Sequence, residues 1–194
     1  MRPDISPSGL KFKYNNIENL LSVESRWQSW LDVEASMARS QSELKMIPRD
    51  AGNKIAKNCN LKKLNLKNIY RDLKTTGHKL VPLIWELSRV CDQDSKKYVH
   101  WGGTTQNIVS NGDILILRKI HEIFLNDLSD LLKILSKLSL KTKNDLMAGR
   151  THGQHALPIT FGYKVACWID EISRHIDRIK ESEPRVFKCI FGGA

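Results

Sequence analysis

Between Gln106 and Leu140, apolar side chains recur at Ile108, Leu115, Ile120, Phe124, Leu128, Leu131, Leu135 and Leu138, the register of one helix face. A second pattern of this kind runs from Pro158 to Ser182 through Phe161, Val165, Trp168 or Ile169, Ile172, Ile176 and Ile179, with Pro184 as the expected stop. At 1.5 Å of rise per residue these are helices of roughly 50 and 35 Å. Stripes that long must be buried on partner helices, so the chain is expected to be all-α and to contain the beginning of a long helical bundle. Thr104 or Thr105 is placed to cap the first of the two helices.

The earlier part of the chain also reads as helical. Leu20, Val23, Trp27, Trp30 or Leu31, Met37 and Leu44 lie on one face of a helix that Ser22 caps and Pro48 ends. A shorter helix is expected from Arg49 to near Cys59, and another from Lys79 to Cys91, where Pro82 falls in the tolerant first turn. No segment alternates like a strand, and none repeats. The organisation expected is a small helical N-terminal domain over residues 1–104, followed by bundle helices over 105–194.

The run from Met147 to Pro158 concentrates the chemistry. Its glycines admit close backbone approach to a ligand, Arg150 can grip a carboxylate through two parallel hydrogen bonds, and His152 and His155 bring imidazoles, rings able to take up and give a proton. Two histidines three residues apart do not complete a metal site, so neither a metal nor a cofactor is expected. A polar hairpin whose imidazoles bond nearby backbone is the plainer reading of the same residues.

This string resembles the Gly-Arg-Thr-His-x-Gln-x-Ala-x-Pro signature of the fumarase/aspartase superfamily, in the form found in adenylosuccinate lyases. Three further segments resemble the same family in order: Arg26 to Glu34 its first helix, Thr76-Gly77-His78 with Val81-Pro82-Leu83 its second histidine segment, and Val99 to Asn107 its first substrate-binding signature. The resemblance implies a tetrameric bundle and release of fumarate from a succinyl-substituted nitrogen, as in purine nucleotide biosynthesis. It implies His152 as general acid, and His78 as the group that helps position substrate and acid. Thr104, Thr105, Gln106, Arg150, Thr151 and Gln154 are implied in substrate binding. It also implies a serine-rich loop carrying the base; nothing in this chain matches that loop, so the chain is expected to be an N-terminal portion of a longer enzyme.

Some positions depart from the pattern. Asn107 stands where an aspartate is usual, His78-Lys79 stands for His-Asp, and only Lys11-Phe12 or Lys13-Tyr14 stands near the Arg-Tyr pair that meets a nucleotide phosphate. The string Thr76 to Leu83 and the Val99-His100-Trp101-Gly102 opening look like the carboxymuconate cycloisomerase branch. That enzyme, and a catalytically silent helical oligomerisation module, are the alternatives.

Composition limits the partners. The net charge is +10, with much of the excess between Lys45 and Lys79. Tyr70 is the one aromatic in that stretch and no recognisable reading motif accompanies it, so a solvated basic face is expected rather than a nucleic-acid surface. A small anionic substrate suits such a protein. No apolar run reaches the ~18 residues of a membrane span, and Met1-Arg2-Pro3-Asp4 lacks the apolar core of a signal peptide, so no membrane partner and a cytoplasmic location are expected. Cys59, Cys91, Cys167 and Cys189 show no paired spacing and are read as reduced thiols, Cys167 as part of the core.

Overall fold

The computed structural model describes residues 17–192. Its helices are α1 (Ile17–Leu20), α2 (Val23–Glu43), α3 (Arg49–Asn58), α4 (Leu66–Thr76), α5 (Val81–Val90), α6 (Thr105–Lys141) and α7 (Phe161–Val186), and strands β1 (Leu146–Thr151) and β2 (Gln154–Thr160) form an antiparallel pair between the last two. The Lys11-Phe12 and Lys13-Tyr14 pairs and the Met1–Asp4 opening lie outside the described residues. Among those residues no helix is long and apolar enough to cross a membrane.

Two compact units emerge. The first takes in the described residues as far as Lys119 together with residues 189–192. Ser22 caps α2 by accepting the Ser25 N–H at 3.1 Å. Trp27, Trp30, Leu31, Ala35 and Ala38 then recur along one α2 face and are buried with Ile55, Ile69, Leu80, Leu83, Leu87 and Ile108. Helix α3 can lie close to α2 because residue 52 is glycine: a Cβ there would meet the Ser42 Cβ at 2.5 Å and the Ala38 carbonyl at 2.6 Å. The returning chain is pinned to α6 by Asn111. Its side-chain amide donates to the Ile190 carbonyl at 2.6 Å and accepts the Ile190 N–H at 2.9 Å.

The second unit spans Ile120–Lys188. Here the rest of α6 packs on α7, with the Ser139 hydroxyl donating to the Gly162 carbonyl at 2.8 Å. At the other end of the pair the His121 ring meets Phe187 edge-on at 5.0 Å. The Thr160 side chain caps α7 by accepting the Tyr163 N–H at 3.1 Å.

Five expectations change. Residues 146–160 form the hairpin of the plainer reading, but as a paired two-strand ladder that no alternation announces, because both its faces are largely exposed and its register shifts between Ala148 and Arg150. Consequently α7 starts at Phe161 rather than Pro158. Pro184 does not stop the helix, which reaches Val186; in a last turn, proline removes one N–H and costs less than it would mid-helix. Helix α4 was not foreseen, since Ile69 is its one buried apolar residue. Cys167 is exposed rather than core, because its face of α7 has no partner in the second unit.

Apolar surface remains bare in that unit. Ile134 is 63% and Leu140 70% exposed, and Phe124, Leu131 and Trp168 are exposed as well. Patches of this kind favour association. The 194-residue chain on its own is expected to self-associate or to lack fixed side-chain packing; sedimentation giving a single well-packed monomer contradicts this.

Candidate active site

In the first unit the segment before α6 turns through two left-handed residues, His100 at φ 57° and Gly102 at φ 68°. It delivers Thr104 and Thr105, both half-buried, to the helix start, and exposed Gln106 just beyond. Buried Asn107 accepts the Thr104 N–H on Oδ1 at 3.2 Å. A neutral amide oxygen therefore makes the backbone link, and no negative charge is needed at this position. Gln106 instead lies along the helix, donating to the Ser110 hydroxyl at 2.7 Å. Threonine hydroxyls at the positive end of a 37-residue helix are groups that can donate to an anion.

His78 sits between α4 and α5. Gly77, at φ 62°, closes α4 in the left-handed conformation that glycine adopts without penalty. His78 Nδ1 then accepts the N–H groups of Leu80 at 3.2 Å and Val81 at 3.1 Å. Nδ1 is thus an acceptor, and in the neutral ring the proton sits on Nε2, the nitrogen left for a ligand. The α4–α5 pair that presents it is clamped by Arg89, which bonds Glu86 at 2.8 Å and Asp72 at 2.7 Å. The hydrogen bonds from Arg71 and then Arg89 hold the Asp72 carboxyl below its ordinary range. Burial pushes the Glu86 carboxyl up, but bonds from Arg89, the Asn65 N–H and Asn68 outweigh it and the net shift is downward.

In the second unit the signature run is the β1–β2 hairpin. Thr151 pairs with Gln154, so His152 and Gly153 alone make the turn, at φ 49° and φ 72°. Two left-handed residues in a two-residue loop define the tight hairpin turn that favours Asn-Gly. Histidine tolerates the first position but suits it less well than asparagine or glycine. Gly149 is also required: a Cβ there would lie 2.7 Å from the Leu157 carbonyl on the opposite strand. Arg150, Thr151, His152, Gln154 and His155 are all exposed at this tip. The hairpin thus gathers Arg150, Thr151, His152 and Gln154, while Thr104, Thr105 and Gln106 share the α6 start and His78 stands at the α5 start.

The Lyase family model matches residues 17–194. The chain belongs to this family, part of the fumarase/aspartase superfamily. It is 40% identical over 171 residues to an N-acetyl-S-(2-succino)cysteine lyase of Enterococcus italicus, covering 88% of this chain and 37% of that protein. It is 33% identical over 190 residues to an adenylosuccinate lyase of Methanocaldococcus jannaschii, covering 98% and 41%. The 3-carboxy-cis,cis-muconate lactonizing enzyme of Pseudomonas putida superposes with a TM-score of 0.85 at 31% identity, over 93% of this chain and 41% of that one. The chain spans about two fifths of the length of these relatives. The lyase superfamily and the helical fold are thus shown, and relatives of varied substrates surround the chain.

Two outcomes are expected. The stability that the Asp72 and Glu86 bonds supply should be complete above the ordinary carboxylate pKa of about 4, because both folded values are depressed, and should fade as pH falls below it. Thermal midpoints between pH 3 and 7 measure this, and Arg89→Leu should flatten the dependence. At the hairpin tip, His152→Asn should keep or slightly raise the thermal midpoint, since asparagine suits the turn better; a fall of several degrees would contradict the reading of His152 as less suited to the turn than asparagine.

Proposed function

We propose that the protein carrying this chain releases fumarate from a succinyl-substituted nitrogen by general acid and base β-elimination, as in an adenylosuccinate-type reaction. The observation that carries this reading is His152 at φ 49°, opening a two-residue turn where local preference calls for asparagine. Elimination takes a proton from the carbon next to the one bearing nitrogen, the carbon–nitrogen bond breaks, and the electron pair becomes the fumarate double bond. The departing nitrogen needs a proton, and His152 is the group assigned to supply it. Thr104, Thr105, Gln106, Arg150, Thr151 and Gln154 are assigned to substrate carboxylates, where charge develops, and the Nε2–H of His78 to positioning. The base is not assigned among the described residues. The whole is read as a cytoplasmic homo-oligomer joined through its bundle helices.

Sulfur as the leaving atom is the second reading, favoured by the 40% identity to the N-acetyl-S-(2-succino)cysteine lyase. The two differ in what they require of an acid. A thiol has a pKa of about 8.5, so a thiolate can depart unaided near neutral pH, whereas a nitrogen anion cannot.

His152→Asn and Thr151→Val, assayed on adenylosuccinate, N-acetyl-S-(2-succino)cysteine and 3-carboxy-cis,cis-muconate, test the reading. Loss of the acid should lower kcat on the nitrogen substrate by roughly 10²–10⁴-fold. Thr151→Val should cost less and act partly through KM. A large kcat on the sulfur substrate that survives His152→Asn would favour the second reading. Turnover of the muconate alone would support the cycloisomerase, and none on any substrate the silent module.

A further inference from the structure

One buried carboxylate in the first unit has no part in the roles assigned so far. Glu34 lies on the core face of α2 at 1% exposure, among Trp30, Leu31, Ala35 and Ala38. Its Oε1 is 2.5 Å from His100 Nδ1, and its Oε2 has no hydrogen-bond partner. Burying a carboxyl with one oxygen unpaired is costly, and an apolar side chain of similar volume would serve stability as well or better.

What Glu34 holds is a strained segment. His100, at φ 57°, occupies the left-handed region in which non-glycine residues are uncommon. The same face of α2 grips that segment twice more. Gln41 donates to the Trp101 carbonyl at 2.6 Å, and the Met37 sulfur sits where a Cβ on residue 103 would come within 3.1 Å of it. Glu34, Met37 and Gln41 are spaced by three and four residues and so share one side of the helix. The gripped chain, 100–103, leads directly into Thr104, Thr105 and Gln106.

We propose that Glu34 is a positioning residue for the substrate-binding segment at the start of α6: its hydrogen bond to His100 locks the left-handed turn that sets where Thr104 and Thr105 lie. The proposal rests on the reading of that segment as carboxylate-binding. With Nδ1 engaged by Glu34, Nε2 is the ring nitrogen of His100 left free.

The test uses the protein carrying this chain, with Glu34→Leu, Glu34→Gln, His100→Gly and the double variant Glu34→Leu/His100→Gly. Leucine fills the volume without the bond, glutamine keeps an acceptor oxygen, and glycine takes the left-handed conformation without a ring. Glu34→Leu should leave the thermal midpoint within a few degrees of the parent yet raise KM for the succinyl substrate about tenfold, with kcat little changed, as loss of uniform binding does. Glu34→Gln should recover most of that loss. His100→Gly should match Glu34→Leu, and the double variant should be no worse than either, because both cut one link. Unchanged KM in Glu34→Leu, or effects that multiply in the double variant, would overturn the proposal. If Glu34→Leu does not fold, His100→Gly alone decides, and an unchanged KM sinks it.

Two readouts need no turnover and so separate this proposal from the functional one. The Nδ1 resonance of His100 in a ring ¹⁵N spectrum should move in Glu34→Gln, and amide exchange across 101–104 should quicken about tenfold in His100→Gly. If the parent acts on no succinyl substrate, the functional reading fails. These two measurements then decide the role of Glu34 in holding the turn, and no change in either rejects it.

Discussion

The buried face of α2 is the constraint on which the first unit depends. Trp27, Trp30, Leu31, Ala35 and Ala38 form the surface against which α3, α5 and the first turns of α6 are packed. Burial of each large apolar side chain contributes about 1.5–3 kcal/mol, so a handful of these outweighs any single polar contact in the unit. Among the polar residues buried on this helix are Glu34 and Gln41, whose partners are His100 and the Trp101 carbonyl. The helix that organises the core therefore also fixes the path of the chain into α6. The core and the entry to α6 are not separable features here.

A second theme is where the backbone is left-handed. His100 and His152 are two of the three non-glycine residues with positive φ among the described residues, and both lie in segments that resemble superfamily signatures. Such conformations persist only where the surroundings impose them. At His100 the imposing contact is Glu34. At His152 it is the hairpin register, which leaves two residues to reverse the chain between Thr151 and Gln154. In both places the favoured small residue is absent and an imidazole stands instead.

Much of the helical fold was legible because amphipathic period is a property of sequence alone. Ser22 as a cap, Pro82 in a first turn, and the extents of α2, α3, α5 and α6 all follow from side-chain pattern and terminus chemistry. The hairpin was not legible in this way. Strand alternation reports a sheet with one buried face, and β1 and β2 have none; their order comes from each other and from a glycine that tolerates a carbonyl at its back. Pro184 misled for a related reason, since a late proline removes only one hydrogen bond from a helix that is ending anyway. Glu34 left a faint trace, a carboxylate in the apolar register of α2, but its partner is 66 residues away.

By itself, the sequence determined the helical class, the superfamily and the residue types available for chemistry, because period and signature spacing are local properties. Tertiary structure decided which nitrogen each imidazole offers. His78 has Nδ1 taken by two backbone N–H groups and His100 has Nδ1 taken by a buried carboxylate, while His152 is exposed at a turn tip. A ring nitrogen is claimed or left free by whatever packs beside it, and hydrogen-bond partners separated in sequence are set only by the folded chain.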